Sequence, residues 1–155
     1  MTTTTEANAY LRTQVLTASP EQLRLMLLDG AIRFAQQAAD GLEANDYEAS
    51  YNGITQARAI VLELATSIRP DVDPELAERV QSVYMFLYAE LIDASLNRDK
   101  TRLDKAIELL HYERETWSLL MDKVAAERAA NPETDTMSIT PTAQGDEPAR
   151  FSAEA

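Results

Sequence analysis

Hydrophobic residues recur every three to four positions along most of the chain, which is the period of an amphipathic α-helix. The pattern predicts five helical segments, at about residues 6–16, 20–45, 46–68, 74–97 and 99–130. The first segment is shorter than the roughly 12–15 residues that an isolated helix needs in water. We therefore expect it to lie on a surface formed by the longer segments.

The second segment begins at a strong helix-start signal. Ser19 can accept a hydrogen bond from a free backbone amide, Pro20 occupies the first helical position, and Gln22 can close a capping box. We expect this helix to end at Gly41 or Asn45, since both residue types tolerate the conformation that terminates helices. Its predicted apolar stripe comprises Leu23, Met26, Leu27, Gly30, Ala31, Phe34, Ala35 and Ala38.

Prolines separate the third and fourth segments. Asn45, with Glu48 three residues later, is the predicted N-cap of the third helix, and Asp73 is the predicted N-cap of the fourth. The predicted inward stripe of the third helix is Tyr47, Tyr51, Ile54, Val61, Ala65 and Ile68. That of the fourth helix is Leu76, Val80, Val83, Tyr84, Leu87, Leu91 and Ala94.

The middle of the fourth segment, residues 83–88, is apolar almost all round. Such a helix is either buried on more than one side or carries an interaction surface. The fifth segment begins near Asp99 or Thr101. Its predicted stripe is Leu103, Ile107, Leu110, Trp117, Leu120 and Val124.

The composition changes beyond Asn131, where Pro, Ser, Thr and acidic residues dominate and we expect disorder. The predicted organisation is an N-terminal segment (1–18), a helical bundle (19–130) and a disordered acidic C-terminal tail (131–155). Long helices joined by short connections are typical of an antiparallel up-down four-helix bundle. The predicted fold is therefore all-α, with that bundle capped by the short N-terminal helix.

Charge and composition exclude several classes of protein. The chain has 26 acidic and 14 basic residues, a net charge of −12, which repels nucleic-acid phosphates and anionic membrane surfaces. It has no cysteine, which excludes disulfides and thiolate metal sites. No apolar run approaches the roughly 20 residues of a membrane span, and we expect no secretory signal in the threonine-rich start.

Catalytic and metal-binding chemistry has little support in the sequence. The chain contains no glycine-rich phosphate-binding motif and no GxSxG nucleophile motif. Glu108 and His111 have the Glu-x-x-His spacing of carboxylate-bridged metal bundles, but such sites need two of these motifs and the chain has one histidine. We predict that the protein is not an enzyme and needs no metal or other cofactor.

Two features favour the binding of another protein. Six tyrosines lie in helical segments beside apolar neighbours, which suits either a core or a peptide-binding groove. The first segment could occupy a groove between the longer helices and be displaced there by a partner helix. The alternative is that it is a frayed N-terminal arm.

Two motifs in the first 34 residues resemble a known family. The strings VLTASPEQL (15–23) and MLLDGAIRF (26–34), preceded by Ala9-Tyr10, are similar to those of the flagellin export chaperone (FliS) family. The resemblance covers about residues 7–125, through weaker matches at 42–47, 57–64, Tyr84, 91–99 and Trp117. The chain departs from the family pattern at Leu28, at Met85-Phe86 and at Ala89-Glu90, where the family usually has an aromatic residue, Asp-Tyr and two arginines.

The resemblance implies a small cytoplasmic helical protein that binds the C-terminal segment of flagellin and prevents its premature polymerisation. It further implies delivery of flagellin to the flagellar type III export apparatus. In the family the N-terminal segment can occupy part of the groove when flagellin is absent. The export gate and a flagellar regulatory protein are further candidate partners, and the sequence leaves the oligomeric state open.

The predicted partner-binding residues line or support the expected groove. They are Tyr10, Leu23, Met26, Leu27, Gly30, Phe34, Tyr84, Leu87, Tyr88 and Leu91. Two alternative functions stay open. One is a regulatory adaptor that sequesters a regulator of flagellar gene expression or translation. The other is a metal-dependent bundle enzyme, against which the single histidine argues.

Overall fold

The computed structural model describes residues 4–68 and 74–131. Within these ranges every regular element is an α-helix, and the five helices are α1 (Thr4–Thr17), α2 (Pro20–Glu43), α3 (Tyr47–Thr66), α4 (Pro74–Asn97) and α5 (Lys100–Ala130). The five predicted helices are therefore confirmed to within a few residues at each end. The predicted cap Asp73 and the predicted tail, apart from Asn131, lie outside the described residues.

The start signals act as predicted at α2 but differ at α3. The Gln22 backbone N–H donates to the Ser19 hydroxyl, and the Ser19 N–H donates to the Gln22 side chain, which completes the capping box. The prediction that Asn45 caps α3 is wrong, because Asp46 is the N-cap and accepts a hydrogen bond from the Ala49 N–H at 3.1 Å. Asn45 instead adopts a φ of 54° just after α2, a conformation that ends helices and that asparagine tolerates.

Glycines allow α2 and α3 to pack closely as antiparallel neighbours. Gly41 lies inside α2 and not at its end, and a Cβ there would be 2.8 Å from the Ser50 backbone nitrogen. A Cβ at Gly53 of α3 would be 2.6 Å from the Phe34 carbonyl oxygen. Both distances are too short for a side-chain carbon, so this approach requires glycine at each position.

Helices α2, α3, α4 and α5 share one hydrophobic core. Alanine supplies most of the core side chains from α2, whereas leucine is prominent in α4 and α5. The core residues are Leu28, Ala31, Ala35, Ala38, Ala39, Leu42, Ile54, Ala57, Val61, Leu64, Ala65, Tyr84, Leu87, Leu91, Ala94, Leu103, Ala106, Ile107 and Leu110. The described residues of α1 are all exposed, and none of them belongs to this core.

In three helices the structure exposes some residues of the predicted inward stripe. Tyr47 and Tyr51 are exposed, because the small residues Ser50 and Gly53 occupy the inward side of α3. At the start of α4 the neighbouring alanine is buried in place of Leu76. The buried residues of α5 all lie between Leu103 and Leu110, and the predicted stripe residues Leu120 and Val124 are exposed.

The C-terminal part of α5 belongs to a separate compact unit. The first unit ends at Met121, and the second begins at Asp122. The described residues of the second unit are exposed. None of the described helices combines the length and apolar character that crossing a bilayer requires.

Candidate partner-binding groove

One flank of α2 carries five of the predicted partner-binding residues. They recur at three- and four-residue spacings, so they share one side of the helix beside its buried face, and they are Leu23, Met26, Leu27, Gly30 and Phe34. All five are half-buried. This flank faces α3, because a Cβ at Gly30 would lie 3.4 Å from the Ile60 Cδ1 atom and Phe34 approaches Gly53.

A cavity of about 340 Å³ lies between α2 and the first turns of α3, and Phe34 is the one residue of this flank that lines it. Its lining combines apolar or small residues with the amides of three polar side chains, and it comprises Phe34, Gln37, Ala49, Asn52, Gly53 and Gln56. We call the cavity together with the α2 flank the α2–α3 groove. No charged side chain lines the cavity, although the chain carries a net charge of −12. An amphipathic helix suits such a surface, because it can bury apolar side chains and donate hydrogen bonds to amides.

The α3 side of the groove was not predicted from the sequence. Its residues are small or polar, so they give no hydrophobic stripe. A glycine inside a helical pattern usually has a packing reason. The four-residue spacing of Ala49, Gly53 and Ala57 is the one signal that indicates this close contact.

The four predicted partner-binding residues of α4 do not line the groove cavity. Leu87 and Leu91 are completely buried, Tyr84 is 2% exposed, and none of them lines the cavity. These three can only support a partner surface from beneath. Tyr88 is half-buried and packs against the core, and it also does not line the cavity.

The apolar residues of α1 lie outside the core and keep much of their surface exposed. Tyr10 is 69% exposed and Leu16 is 75% exposed, and Leu11 and Val15 are exposed as well. No α1 residue lines the cavity of the α2–α3 groove. In this structure the groove is therefore open to a partner, and α1 presents its own apolar side chains to solvent.

The apolar middle of α4 is buried on one side only. Tyr84 and Leu87 face the core, whereas Met85 and Phe86 are 42% and 57% exposed. Of the two readings that the sequence allowed, the structure fits an exposed apolar surface. Five of the six tyrosines likewise keep exposed surface, Tyr84 being the buried one.

A polar cluster ties the start of α2 to the other long helices. The Arg24 guanidinium donates a hydrogen bond to the Ser67 hydroxyl at 3.2 Å and lies 5.3 Å and 5.2 Å from the ring centroids of Tyr84 and Trp117. The Trp117 indole N–H donates to the Glu21 carbonyl oxygen at 3.0 Å. These contacts reach α3, α4 and α5, so they fix the end of α2 at which the groove begins.

The Glu113 carboxyl of α5 completes this cluster. Burial raises the pKa of Glu113 above its ordinary value, and the charge of Arg24 and the hydrogen bond with Tyr84 offset this only partly. Burial also raises the pKa of the Tyr84 hydroxyl, and Arg24 opposes that shift. An ionised Glu113 is therefore less favourable in the folded protein than in the unfolded chain.

We expect Glu113→Gln to raise the melting temperature at neutral pH. Because the folded-state pKa is raised, folded Glu113 keeps a proton that the unfolded chain releases, so the free energy of unfolding falls as the pH rises through this window. The neutral amide of glutamine does not ionise, so the variant does not lose this stability at high pH. Thermal melts should show a gain at neutral pH that vanishes below about pH 3, where the carboxyl is protonated in both states. The exposed Glu108→Gln is the control, and a lower melting temperature for Glu113→Gln at neutral pH would contradict this assignment.

The Glu108–His111 pair gains no further metal ligands in the described structure. His111 is exposed on α5. Within residues 4–68 and 74–131, no three His, Asp or Glu side chains are grouped so as to hold a metal ion.

The described residues form an all-helical fold with an open cavity between α2 and α3. The family model for the flagellar protein FliS matches residues 3–124. The chain belongs to this family.

Three characterised relatives carry the name flagellar secretion chaperone FliS. The protein from Bacillus subtilis (strain 168) is 28% identical over 109 residues, which cover 70% of this chain and 80% of the relative. The protein from Salmonella typhimurium is 27% identical over 120 residues, 77% of this chain and 89% of the relative. The protein from Campylobacter jejuni is 26% identical over 110 residues, 71% of this chain and 86% of the relative.

Proposed function

We propose that the protein is a non-catalytic cytoplasmic chaperone whose α2–α3 groove binds the C-terminal helical segment of flagellin. Binding prevents premature polymerisation and allows delivery to the flagellar type III export apparatus through its gate. Membership of the FliS family supports this partner, as does the name of the three relatives. The observation that carries the proposal is the half-buried flank of α2, which ends at Phe34 on an uncharged cavity lined by small and polar residues of α3.

The chemistry of the groove favours a helix that is recognised by shape and apolar contact. Leu27 and Phe34 each keep part of their apolar surface exposed, which a partner helix would bury. The amides of Gln37 and Asn52 stay neutral, so they do not repel acidic residues of the partner. A segment that folds on binding also loses conformational entropy, which lowers its affinity per buried area and favours release at the export apparatus.

In this proposal α2 to α5 form an antiparallel up-down four-helix bundle, and α1 is a displaceable cover. Two residues, Ala18 and Ser19, connect α1 to α2, so α1 can fold back along α2. The 14 residues of α1 span about 21 Å, which is also about the distance along α2 from Pro20 to Phe34. A folded-back α1 would therefore reach the cavity and bury Tyr10 and its apolar neighbours.

A polymerisation assay tests the proposed function. We expect one equivalent of this protein to suppress seeded polymerisation of flagellin from the same organism, measured by light scattering, because the chaperone covers the segment that joins subunits. Flagellin lacking its C-terminal segment should not be retained by the immobilised protein. Polymerisation at an unchanged rate would contradict the chaperone role and favour the regulatory adaptor.

A further inference from the structure

A second cavity, of about 150 Å³, lies where the start of α3 meets the end of α4. Hydroxyl groups and one guanidinium dominate its lining, which consists of Tyr47, Ser50, Tyr51, Ser95 and Arg98. No carboxylate lines this cavity, although acidic residues outnumber basic ones by 26 to 14 in the chain. The Tyr47 hydroxyl donates to the Asn45 side-chain oxygen at 3.3 Å, so the donors that the cavity offers are the other hydroxyls and the guanidinium.

The Arg98 guanidinium is held in place by an aromatic ring. It lies 3.7 Å from the centroid of the Tyr47 ring, closer than the other arginine–aromatic contacts among the described residues. Arg98 also has a φ of 48°, a left-handed conformation that long side chains rarely adopt. The Asp99 N–H donates to the Ala94 carbonyl oxygen at 3.0 Å and closes the turn that imposes this conformation.

The neighbouring carboxylates are engaged elsewhere. Asp46 accepts a hydrogen bond from the Ala49 N–H, and Asp99 accepts one from the Arg102 N–H, so each caps the start of a helix. Within the described parts of the chain, no carboxylate lies within ion-pairing distance of Arg98. A guanidinium that lies over a ring keeps its N–H donors in its own plane, above the ring, where they can form two parallel hydrogen bonds to one carboxylate.

We propose that this cavity binds a carboxylate of the partner peptide, with Arg98 as the ion-pairing group and Tyr47 as the residue that positions it. The hydroxyls of Ser50 and Ser95 are the additional donors. The negative field of the protein opposes a multiply charged anion more than a single carboxylate, which favours a peptide group over a phosphate.

The position of the cavity allows one peptide to reach both sites. Tyr47, Ser50 and Tyr51 border this cavity, while Ala49 and Gly53 border the α2–α3 groove. The first two turns of α3 therefore separate the two sites. A chain that leaves the groove and passes over the start of α3 arrives at Arg98, so its carboxylate is either the chain end or an acidic side chain.

Calorimetric titration with paired peptides tests the inference, and the choice of peptide rests on the proposed function. The probe is the C-terminal segment of flagellin, as free acid and as C-terminal amide, and in versions with single Asp or Glu residues changed to Asn or Gln. One of these changes is expected to weaken binding about tenfold to the wild-type protein and to have no effect on Arg98→Gln. The change that behaves in this way identifies the chain end or the side chain as the source.

Arg79→Gln is the matched control, because it removes the same charge from an exposed site at the other end of α4. Each peptide should bind Arg79→Gln with the same dissociation constant as it binds the wild-type protein. The inference is overturned if each peptide change alters the dissociation constant of the wild-type protein and of Arg98→Gln by the same factor.

If no peptide binds the wild-type protein, the proposed function fails and a second measurement decides the inference. Titration with N-acetylglycine should then shift the Arg98 and Tyr47 side-chain NMR signals in the wild type, and unchanged signals would overturn it.

Discussion

Replacing Phe34 with alanine is expected to weaken binding of the flagellin C-terminal segment about thirtyfold. Phe34 is half-buried, lines the cavity of the α2–α3 groove and lies at the end of the predicted α2 flank. Aromatic side chains in such pockets typically lose about 2 kcal/mol or more of binding free energy on truncation. Calorimetric titration of the variant with the segment measures the change, and circular dichroism checks that the helices remain.

Leu119→Ala is the control for this experiment. Leu119 is also a large apolar residue, but it lies on α5 and is 60% exposed, away from the residues that line the groove cavity. Its replacement should change the dissociation constant by less than about twofold, as expected for most surface positions. Equal losses in both variants, or wild-type affinity for Phe34→Ala, would contradict the placement of the partner in the α2–α3 groove.

Replacing Gly53 with alanine is expected to lower the melting temperature by about 4–8 °C. The new Cβ would lie 2.6 Å from the Phe34 carbonyl oxygen and 2.9 Å from the Ala38 backbone nitrogen, so two backbones must move apart. Overpacking of this kind costs about 1–3 kcal/mol, which exceeds the roughly 1 kcal/mol that alanine gains in helix propensity when the clash is severe. Because both clashing partners of the new Cβ are backbone atoms, we expect a cost at the upper end of this range and a net loss of about 2 kcal/mol, which corresponds to that shift in a chain of this size.

Gly30→Ala provides the matched comparison on the facing helix. Its new Cβ would meet the Ile60 Cδ1 atom at 3.4 Å, and the end of this flexible side chain can adjust. The helix propensity gain should therefore dominate, and the melting temperature should stay level or rise by about 2–4 °C. Thermal melts that show the same sign for both variants would contradict the close packing of α2 on α3.

Much of the helical architecture follows from local signals. The capping box at Ser19 and Gln22 and the proline at the start of α4 predict helix boundaries that the structure confirms. These signals are readable because capping and proline effects act within one helical turn. Asn45 was misassigned as a cap because the residue next to it, Asp46, has the same capping ability and Asn45 is used to end α2.

Hydrophobicity predicts the inward face of α3 only in part, since Ile54, Val61 and Ala65 are buried as predicted. Tyr47 and Tyr51 are apolar enough to suggest burial, but the closest approach of α2 and α3 requires Ser50 and Gly53 on that face. Whether large or small residues face inward depends on how closely the neighbouring helix packs. The local sequence pattern does not reveal that distance. The same reason explains why Ala49 and the other α3 residues of the groove were missed.

Part of the candidate site could be predicted from the sequence. Periodicity places Phe34 and its α2 neighbours on one flank, and this flank does border the groove cavity at Phe34. Periodicity also grouped Leu87 and Leu91 with the site, although both are fully buried, because a stripe does not reveal whether another helix already covers it. The contacts of Arg24 with Ser67 and Trp117 join residues far apart in sequence, so they appear only in the folded chain.

The most direct test of the central claim is a calorimetric titration of the full-length protein with the last ~50 residues of flagellin from the same organism, at several temperatures. Burial of apolar surface by a segment that folds on binding, typically about 1,000–3,000 Å², gives a large negative heat-capacity change. The chaperone function predicts this change together with micromolar or tighter binding. Absence of binding by both this segment and full-length flagellin would contradict it.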